Sequence, residues 1–536
     1  MPFLKFQHQI LISVLGGLLM VFAFPYTGSF TPLVFVGLVP LLIIEDHILR
    51  HKEKAIKFFI FSYLYFFIFN IGTTYWIYYS TDIGSYLAFI FNSLLMALAL
   101  QTYHLAKKHI GRKQGYVSLL FLWPAFEYCH FNWELSWPWL SFGNFFSIRT
   151  NWVQWYEYTG VLGGTLWVVL VNLSIFLTFK RYLNGGKLFK RSLLLSSLFL
   201  LFPIFYSYFL LTKTYTYTKK IHTVVVQPNI DPYNEKFDPN VTVEQQLTQF
   251  FNLADKKANA TTKLIIGPET AISQGFFENE LEVFPFYRLM LQRMMNYPKS
   301  SLLIGASTAL AFNEKVSPSA QEFGNGNGFY ESYNTSLFLD TNRNKTFVHK
   351  SKLVLGVEKI PFSQYLPFLE NFALENGGSS GTLGVETEPK NVKDAEHTFA
   401  PIICYESIYG DFVAEQVRKG AEMLCIITND GWWRNTAGYK QHFSFARLRA
   451  IENRRWVARS ANTGTSGFIN EKGEIVQSTE WWKEAVISEN VPLLKQKTIY
   501  AQFGDFIGRS FSFVAALIII FSLKQKLQGR LNKTKS

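Results

Sequence analysis

The chain has 536 residues and a net charge of +13; 49% of it is hydrophobic, 17% aromatic and only 17% charged, against the ~25% usual in soluble proteins. That length calls for more than one domain, the composition excludes a disordered or collagen-like chain, and three cysteines exclude a disulfide scaffold. The basic excess would suit a nucleic-acid surface unless the positive charges have another reason to be where they are.

The apolar residues come in blocks. Seven segments, about 8–24, 31–47, 58–78, 83–103, 115–130, 160–179 and 192–212, fill the first 212 residues, and an eighth runs over 507–523. A helix needs ~20 mostly apolar residues to cross ~30 Å of hydrocarbon. Two segments are weaker: 58–78 is rich in Phe and Tyr, and 115–130 contains Pro124 and Glu127. Any one segment also suits a buried core helix, but seven in succession predict a multi-pass helical membrane domain over 1–212. The first reads as an uncleaved anchor, because no small-residue cleavage site follows it and further spans do. Glu127 and Glu134 lie at membrane level, where an acidic residue is a functional candidate.

The connections alternate in charge. The N-terminus, 48–57, 104–114, 180–191 and the tail after 523 hold nineteen Lys/Arg, whereas 25–30, 79–82 and 131–159 hold one, Arg149. The positive-inside rule therefore predicts both termini in the cytoplasm, with 524–536 a basic cytoplasmic tail. It predicts segment 213–506, between spans seven and eight, on the outer face. The positive charge follows from topology, and no nucleic-acid partner is needed to explain it.

Segment 213–506 is polar, with short β-branched and aliphatic runs at 222–229, 263–267, 301–305, 335–340, 399–404 and 423–428. Runs of this length ending in Gly, Asn or Asp suit strands buried on both faces. Helices are expected over 240–260, 280–297 and 438–456, and loops over 310–330 and 373–396. In such α/β domains reactive side chains gather just past the strand ends. Glu269 follows Leu264-Ile-Ile-Gly-Pro268, Lys350 follows Phe347-Val-His349, and Cys404 closes Ala400-Pro-Ile-Ile403. A buried carboxylate can take the proton of a thiol, and an ammonium can hold an oxyanion, so the three make a complete acyl-transfer set. Each alone also has a plain structural reading: a small core residue, a helix cap and a surface lysine.

The strings around them say more. Gly267-Pro-Glu-Thr-Ala271, Lys350-Ser-Lys-Leu-Val354 with Glu358, and Cys404-Tyr-Glu406 resemble, in order, the Glu, Lys and Cys motifs of the nitrilase superfamily. Thr428-Asn-Asp-Gly-Trp432, Gln441-His442, Ala446-Arg-Leu-Arg-Ala-Ile-Glu-Asn453 and Ala461-Asn-Thr-Gly464 narrow the likeness. Together with the eight spans, and with Trp137-Pro-Trp-Leu140 and Gly143, they resemble the apolipoprotein N-acyltransferase family of bacterial envelopes.

The resemblance implies an α-β-β-α sandwich on the membrane anchor, in the inner membrane with the catalytic domain on the periplasmic side. It implies a ping-pong transfer by way of a thioester on Cys404. A phospholipid would be the acyl donor and the N-terminal amine of a diacylated lipoprotein the acceptor, with no cofactor. Glu269 would be the base and Lys350 the oxyanion holder. Glu358, Tyr405 and Glu406 would support them, and Phe237, Trp432 and Trp433 would be substrate contacts. The chain departs from the family's usual string in two places: Lys352 stands where a His is usual, and Leu355-Gly356-Val357 moves a glycine and loses a proline before Glu358. Lys236 is followed by Phe237 where Trp is common.

Cys425 and Cys129 read as packing residues. His442 lacks a second His at metal spacing, and no metal site is expected. The two tryptophans suit either lipid contact or core. Two other functions compete with the transferase: a membrane-tethered amidase with water as acceptor, and a transporter with a large external domain. Few charged or polar residues occur inside the spans and no paired broken helices are seen, which argues against the transporter.

Overall fold

A computed structural model describes residues 4–185, 188–236, 238, 240–362 and 382–534; Phe237 and much of the expected loop 373–396 lie outside them. The chain forms two compact units, one of residues up to 78, 82–213 and from 505, the other of residues 79–81 and 214–504.

The first unit is helical. Seven of its described helical segments are long and apolar enough to cross a membrane: Phe6–Ala23, Thr31–Arg50, Ile56–Tyr79, Asp82–Ile110, Tyr156–Leu183, Phe189–Leu211 and Phe506–Asn532. An eighth helix, Arg112–Phe131, has 20 residues, but Pro124, Glu127 and His130 interrupt its apolar run.

Glu127 is buried and fully satisfied. Its carboxylate accepts from Trp123 Nε1 (2.9 Å), Ser141 Oγ (2.6 Å), Thr165 Oγ1 (2.6 Å) and the Phe142 N–H (3.1 Å). It thereby ties its own helix to the Trp137–Phe146 connection and to the helix Tyr156–Leu183. An unpaired carboxylate in a dry interior costs several kcal/mol, so this residue is a clamp between three segments.

Some of the basic residues that define the topology also have buried partners. Lys107 and His104 both meet Glu45, the latter at 3.0 Å. Lys180 and Arg50 meet Asp46 at 2.6 and 2.7 Å.

The second unit is a two-sheet sandwich. One sheet orders β14 (Ala485–Leu493), β1 (Lys219–Gln227), β2 (Thr262–Ile266), β4 (Ser301–Phe312), β6 (Phe329–Leu339) and β5 (Gln321–Glu322). In it β3 (Ile272–Phe277) also pairs with β4, and β7 (Lys345–His349) with β6. The other orders β13 (Ile475–Ser478), β12 (Gly467–Ile469), β11 (Val457–Ala461), β10 (Met423–Thr428), β9 (Thr398–Ile403) and β8 (Val392–Lys393). The central strands β1, β2 and β4, and likewise β9, β10 and β11, run parallel.

Period-two alternation splits each strand between two cores. Val225, Leu264, Ile266 and Leu303 meet Phe399, Ile403, Cys425 and Ile427 between the sheets. Val224, Val226, Ile265 and Leu302 instead face the helices Val243–Ala254 and Pro285–Met294. Strand residues buried on both faces are why these runs read as continuous hydrophobics in the sequence. The expected helix over 280–297 is shorter: Glu278–Val283 is a 3₁₀ turn, and Pro285, whose ring suits a first helical turn, starts the α-helix.

Candidate active site

Each reactive side chain sits one to three residues past the end of a strand. Glu269 follows β2, Lys350 follows β7, Cys404 follows β9 and Asn429 follows β10. The first two come from one sheet and the last two from the other, so the site forms across the sandwich. All four line one cavity of about 570 Å³.

Lys350 is the hub. Its Nζ donates to Glu269 Oε1 at 3.1 Å and to Glu358 Oε1 at 2.8 Å. Asn334 on β6 donates its Nδ2 to the same two oxygens, at 2.8 and 3.0 Å. The ladder explains the pairing: β6 and β7 are antiparallel with Thr335 opposite His349, and the Lys350 N–H bonds the Asn334 carbonyl at 2.8 Å. The second oxygen of Glu269 accepts the Asn429 N–H at 3.0 Å. The turn carrying Glu269 rests on bare backbone. A Cβ at Gly305 would lie 2.4 Å from the Thr270 nitrogen and 2.6 Å from the Glu269 Cα, so only glycine fits there.

These contacts set the charges. Burial pushes Glu269 up, but the Lys350 charge, the Asn334 amide and the Lys236 charge together hold it below the usual carboxylate value. Burial pulls Lys350 down, and the carboxylates of Glu269 and Glu358 outweigh it, so its ammonium is held well above the ordinary range. Lys236, whose Nζ donates to the Glu269 carbonyl at 3.0 Å, is lowered by burial to about 8. Burial and the Glu269 charge push the Cys404 thiol well up, with Lys350 opposing them. The resting site thus holds an ionised carboxylate and a neutral thiol. Chemically, such a set can move a thiol proton to a carboxylate, a step that is uphill at rest and eased when negative charge forms beside an ammonium.

Cys404 stands at φ +52°, where strand β9 breaks into the 3₁₀ turn Cys404–Ile408. A non-glycine residue held there stores ~1–3 kcal/mol of strain, a cost met where the surroundings over-determine it. Glu406 is one such constraint: its carboxylate accepts the N–H groups of Ile403 (2.7 Å) and Ser351 (2.5 Å), stapling the end of β9 to the segment after β7. Burial raises Glu406 to about 7 against these donors. Glu358 also accepts the Val354 N–H at 2.8 Å, closing the loop 354–359. The shifted glycine, Gly356, provides the turn at φ +79°. Lys352, in the position usually held by His, lays its ammonium over the Tyr409 ring at 5.3 Å, and Tyr409 in turn meets Tyr405 edge-on at 5.3 Å.

Trp432 and Trp433 line the cavity, as do Phe276, Phe277, Phe284 and Leu383. Phe237 is outside the described residues. Among the described residues no cluster of three His, Cys, Asp or Glu could hold a metal ion. The three cysteines are free thiols; Cys425 is buried in its strand and Cys129 is exposed. Asn334 is not among the residues expected from the sequence: it lies in the polar stretch Ser332-Tyr-Asn-Thr-Ser336 of β6 and carries no local signal of its role.

Residues 16–174 match the family described as apolipoprotein N-acyltransferase N-terminal domain, and residues 224–495 match carbon-nitrogen hydrolase. A protein of Chlorobaculum tepidum named apolipoprotein N-acyltransferase is 30% identical, covering 96% of this chain and 96% of its own. One of the same name from Rickettsia typhi is 28% identical over 92% and 94% of the two chains. Among solved structures, Saccharomyces cerevisiae Nit3, of branch 10 of the nitrilase superfamily, aligns at 16% identity over 52% of this chain and 93% of its own, with a TM-score of 0.35.

Proposed function

Because this chain belongs to the apolipoprotein N-acyltransferase family, we propose that it moves an acyl chain from a membrane phospholipid to the free α-amino group of a diacylglyceryl-cysteine at a lipoprotein's N-terminus. The observation that carries this reading is the single cavity in which the Glu269 carboxylate, the Lys350 ammonium and the Cys404 thiol meet apolar walls.

In the first half-reaction Cys404 Sγ attacks the sn-1 ester carbonyl while Glu269 takes the thiol proton. Lys350 holds the oxyanion. The intermediate collapses to a thioester, and the lysophospholipid leaves as an alcohol with the proton returned by Glu269. In the second, the α-amine attacks the thioester carbonyl and Glu269 takes the amine proton. Cys404 departs and is reprotonated. Glu358 and Asn334 keep Lys350 and Glu269 in register, and Glu406 with Tyr405 holds the nucleophile's turn. Trp432 and Trp433 flank the acyl chain and keep water from the thioester. The reaction takes place at the periplasmic surface of the inner membrane. Both substrates keep their acyl chains in the bilayer there, so neither is extracted into water.

Purified protein given phospholipid alone should carry an acyl adduct on the peptide containing Cys404, and Cys404→Ser should carry none. The adduct should persist until a diacylglyceryl peptide with a free cysteine amine is added, and the same peptide acetylated at that amine should not discharge it. Rapid release of fatty acid without acceptor would replace the transferase with the tethered hydrolase.

A further inference from the structure

Behind the nucleophile lies a buried polar cluster that the transfer mechanism above does not use. His442, Asp430 and Arg459 are all closed to solvent, on the helix Ala437–Asn453, the turn after β10 and strand β11. Asp430 accepts His442 Nδ1 at 2.9 Å through one oxygen, which also takes the Thr428 hydroxyl at 2.9 Å. Its other oxygen takes Arg459 Nη2 at 2.7 Å. The far side of the ring faces the active site: His442 Nε2 lies 3.1 Å from the carbonyl oxygen of Cys404. Ser407 donates its hydroxyl to that same carbonyl at 2.8 Å and sits 2.9 Å from Nε2.

The Cys404 carbonyl can only accept, so the ring meets it as an Nε2–H donor. The charged groups facing this ring are Asp430 and Arg459, the guanidinium lying 3.1 Å from Nδ1 with the carboxylate bridging the two. The cluster is costly to bury, and its histidine turns its far nitrogen to one backbone carbonyl. That carbonyl shares a planar trans peptide with the Tyr405 N–H, and in such a unit C=O and N–H point opposite ways. Fixing the oxygen against His442 therefore fixes the amide hydrogen on the opposite side of the peptide, and Cys404 itself lines the cavity. A backbone N–H immediately after a nucleophile is well placed to donate to the oxyanion formed on its substrate.

We propose that His442, anchored by Asp430 and Arg459 and assisted by Ser407, is a positioning residue: it grips the Cys404 carbonyl and so aims the Tyr405 N–H as a second oxyanion donor opposite Lys350. This rests on the acyl-transfer reading. It also gives the +52° backbone of Cys404 a purpose, since the grip holds the peptide in an orientation that strand geometry would not supply.

Two reactions of the same sulfur separate this role from a merely structural one. Thioester formation from phospholipid passes through an oxyanion, whereas alkylation of Cys404 by iodoacetamide does not. In the full-length purified protein His442→Leu should slow thioester formation ~10²-fold, the effect of a lost oxyanion donor, while alkylation of Cys404 changes less than threefold. His442→Gln, which keeps an amide donor, should recover at least tenfold of the loss. Ser407→Ala should show the same split in milder form, and it decides the matter if His442→Leu does not fold. Parallel loss of both rates in the folded variants, or no loss of thioester formation, overturns the proposal. A wild-type protein that forms no thioester on Cys404 would instead overturn the acyl-transfer reading itself.

Discussion

An ionised Glu269 next to an un-ionised Cys404 fixes what pH can do to the reaction. The reactive form, carboxylate plus thiol, exists from the depressed value of Glu269 up to the raised value of Cys404. Through Glu269 and Cys404 thioester formation should therefore change less than tenfold between pH 8 and about pH 5 and fall below the ordinary carboxylate value of 4.5, and a Glu406→Gln variant separates out the contribution of Glu406, which is raised to about 7. An enzyme that had to ionise its thiol beforehand would lose roughly tenfold per unit over the same range, and that slope would overturn Glu269 as the base. The same residue ties stability to acid. Its folded value lies below its unfolded one, so its contribution is present above about 4.5 and is lost as pH falls through the folded value. That Glu269, Lys350 and Cys404 would gather in one cavity was legible in the sequence, because each follows a strand within a distinctive string. Asn334 was not: its partners are 65 and 24 residues away, and no local pattern says that β6 would present it to both carboxylates.

At the level of elements, the buried ion pairs decide which helices stay together. Lys107 of the helix Asp82–Ile110 and Glu45 of the helix Val39–Arg50 meet with no solvent access. Lys107→Met leaves Glu45 with His104 as a hydrogen-bond partner, and removing one member of a buried pair costs ~3–5 kcal/mol. The thermal midpoint of the detergent-solubilised protein should fall accordingly. The double variant Glu45→Leu/Lys107→Met should recover most of the loss, and a neutral single variant would show that the pair contributes nothing. These basic residues were visible as topological signals because hydropathy blocks and charge asymmetry are local. The pairing of Lys107 with Glu45 and of Lys180 with Asp46 was not visible, since 62 and 134 residues separate the partners. The strands were legible for the same local reason, as runs of four to six apolar residues, whereas the helix expected over 280–297 starts only at Pro285.

For the whole molecule, the charge asymmetry of the connections predicts where each part lies. A reporter inserted within 373–396 should read the outer face and one fused after Lys524 the cytoplasm; a cytoplasmic readout at 373–396 would remove the lipoprotein acceptor from reach. The fold class was legible throughout because each unit announces itself in composition, apolar blocks in one and short buried strands in the other. The division of the site between two sheets was not, because nothing along the chain states which strands will face one another. That division has a mechanical consequence. Glu269 and Lys350, proposed as base and oxyanion holder, ride on one slab of the sandwich and Cys404, the proposed nucleophile, on the other, with Ile266, Leu303, Ile403, Cys425 and Ile427 filling the gap between them. The reach from carboxylate to sulfur is thus gauged by the thickness of a hydrocarbon spacer. Trimming or swelling that spacer would detune the chemistry from a distance, as a shim does a pair of jaws, without altering any residue that meets the substrate.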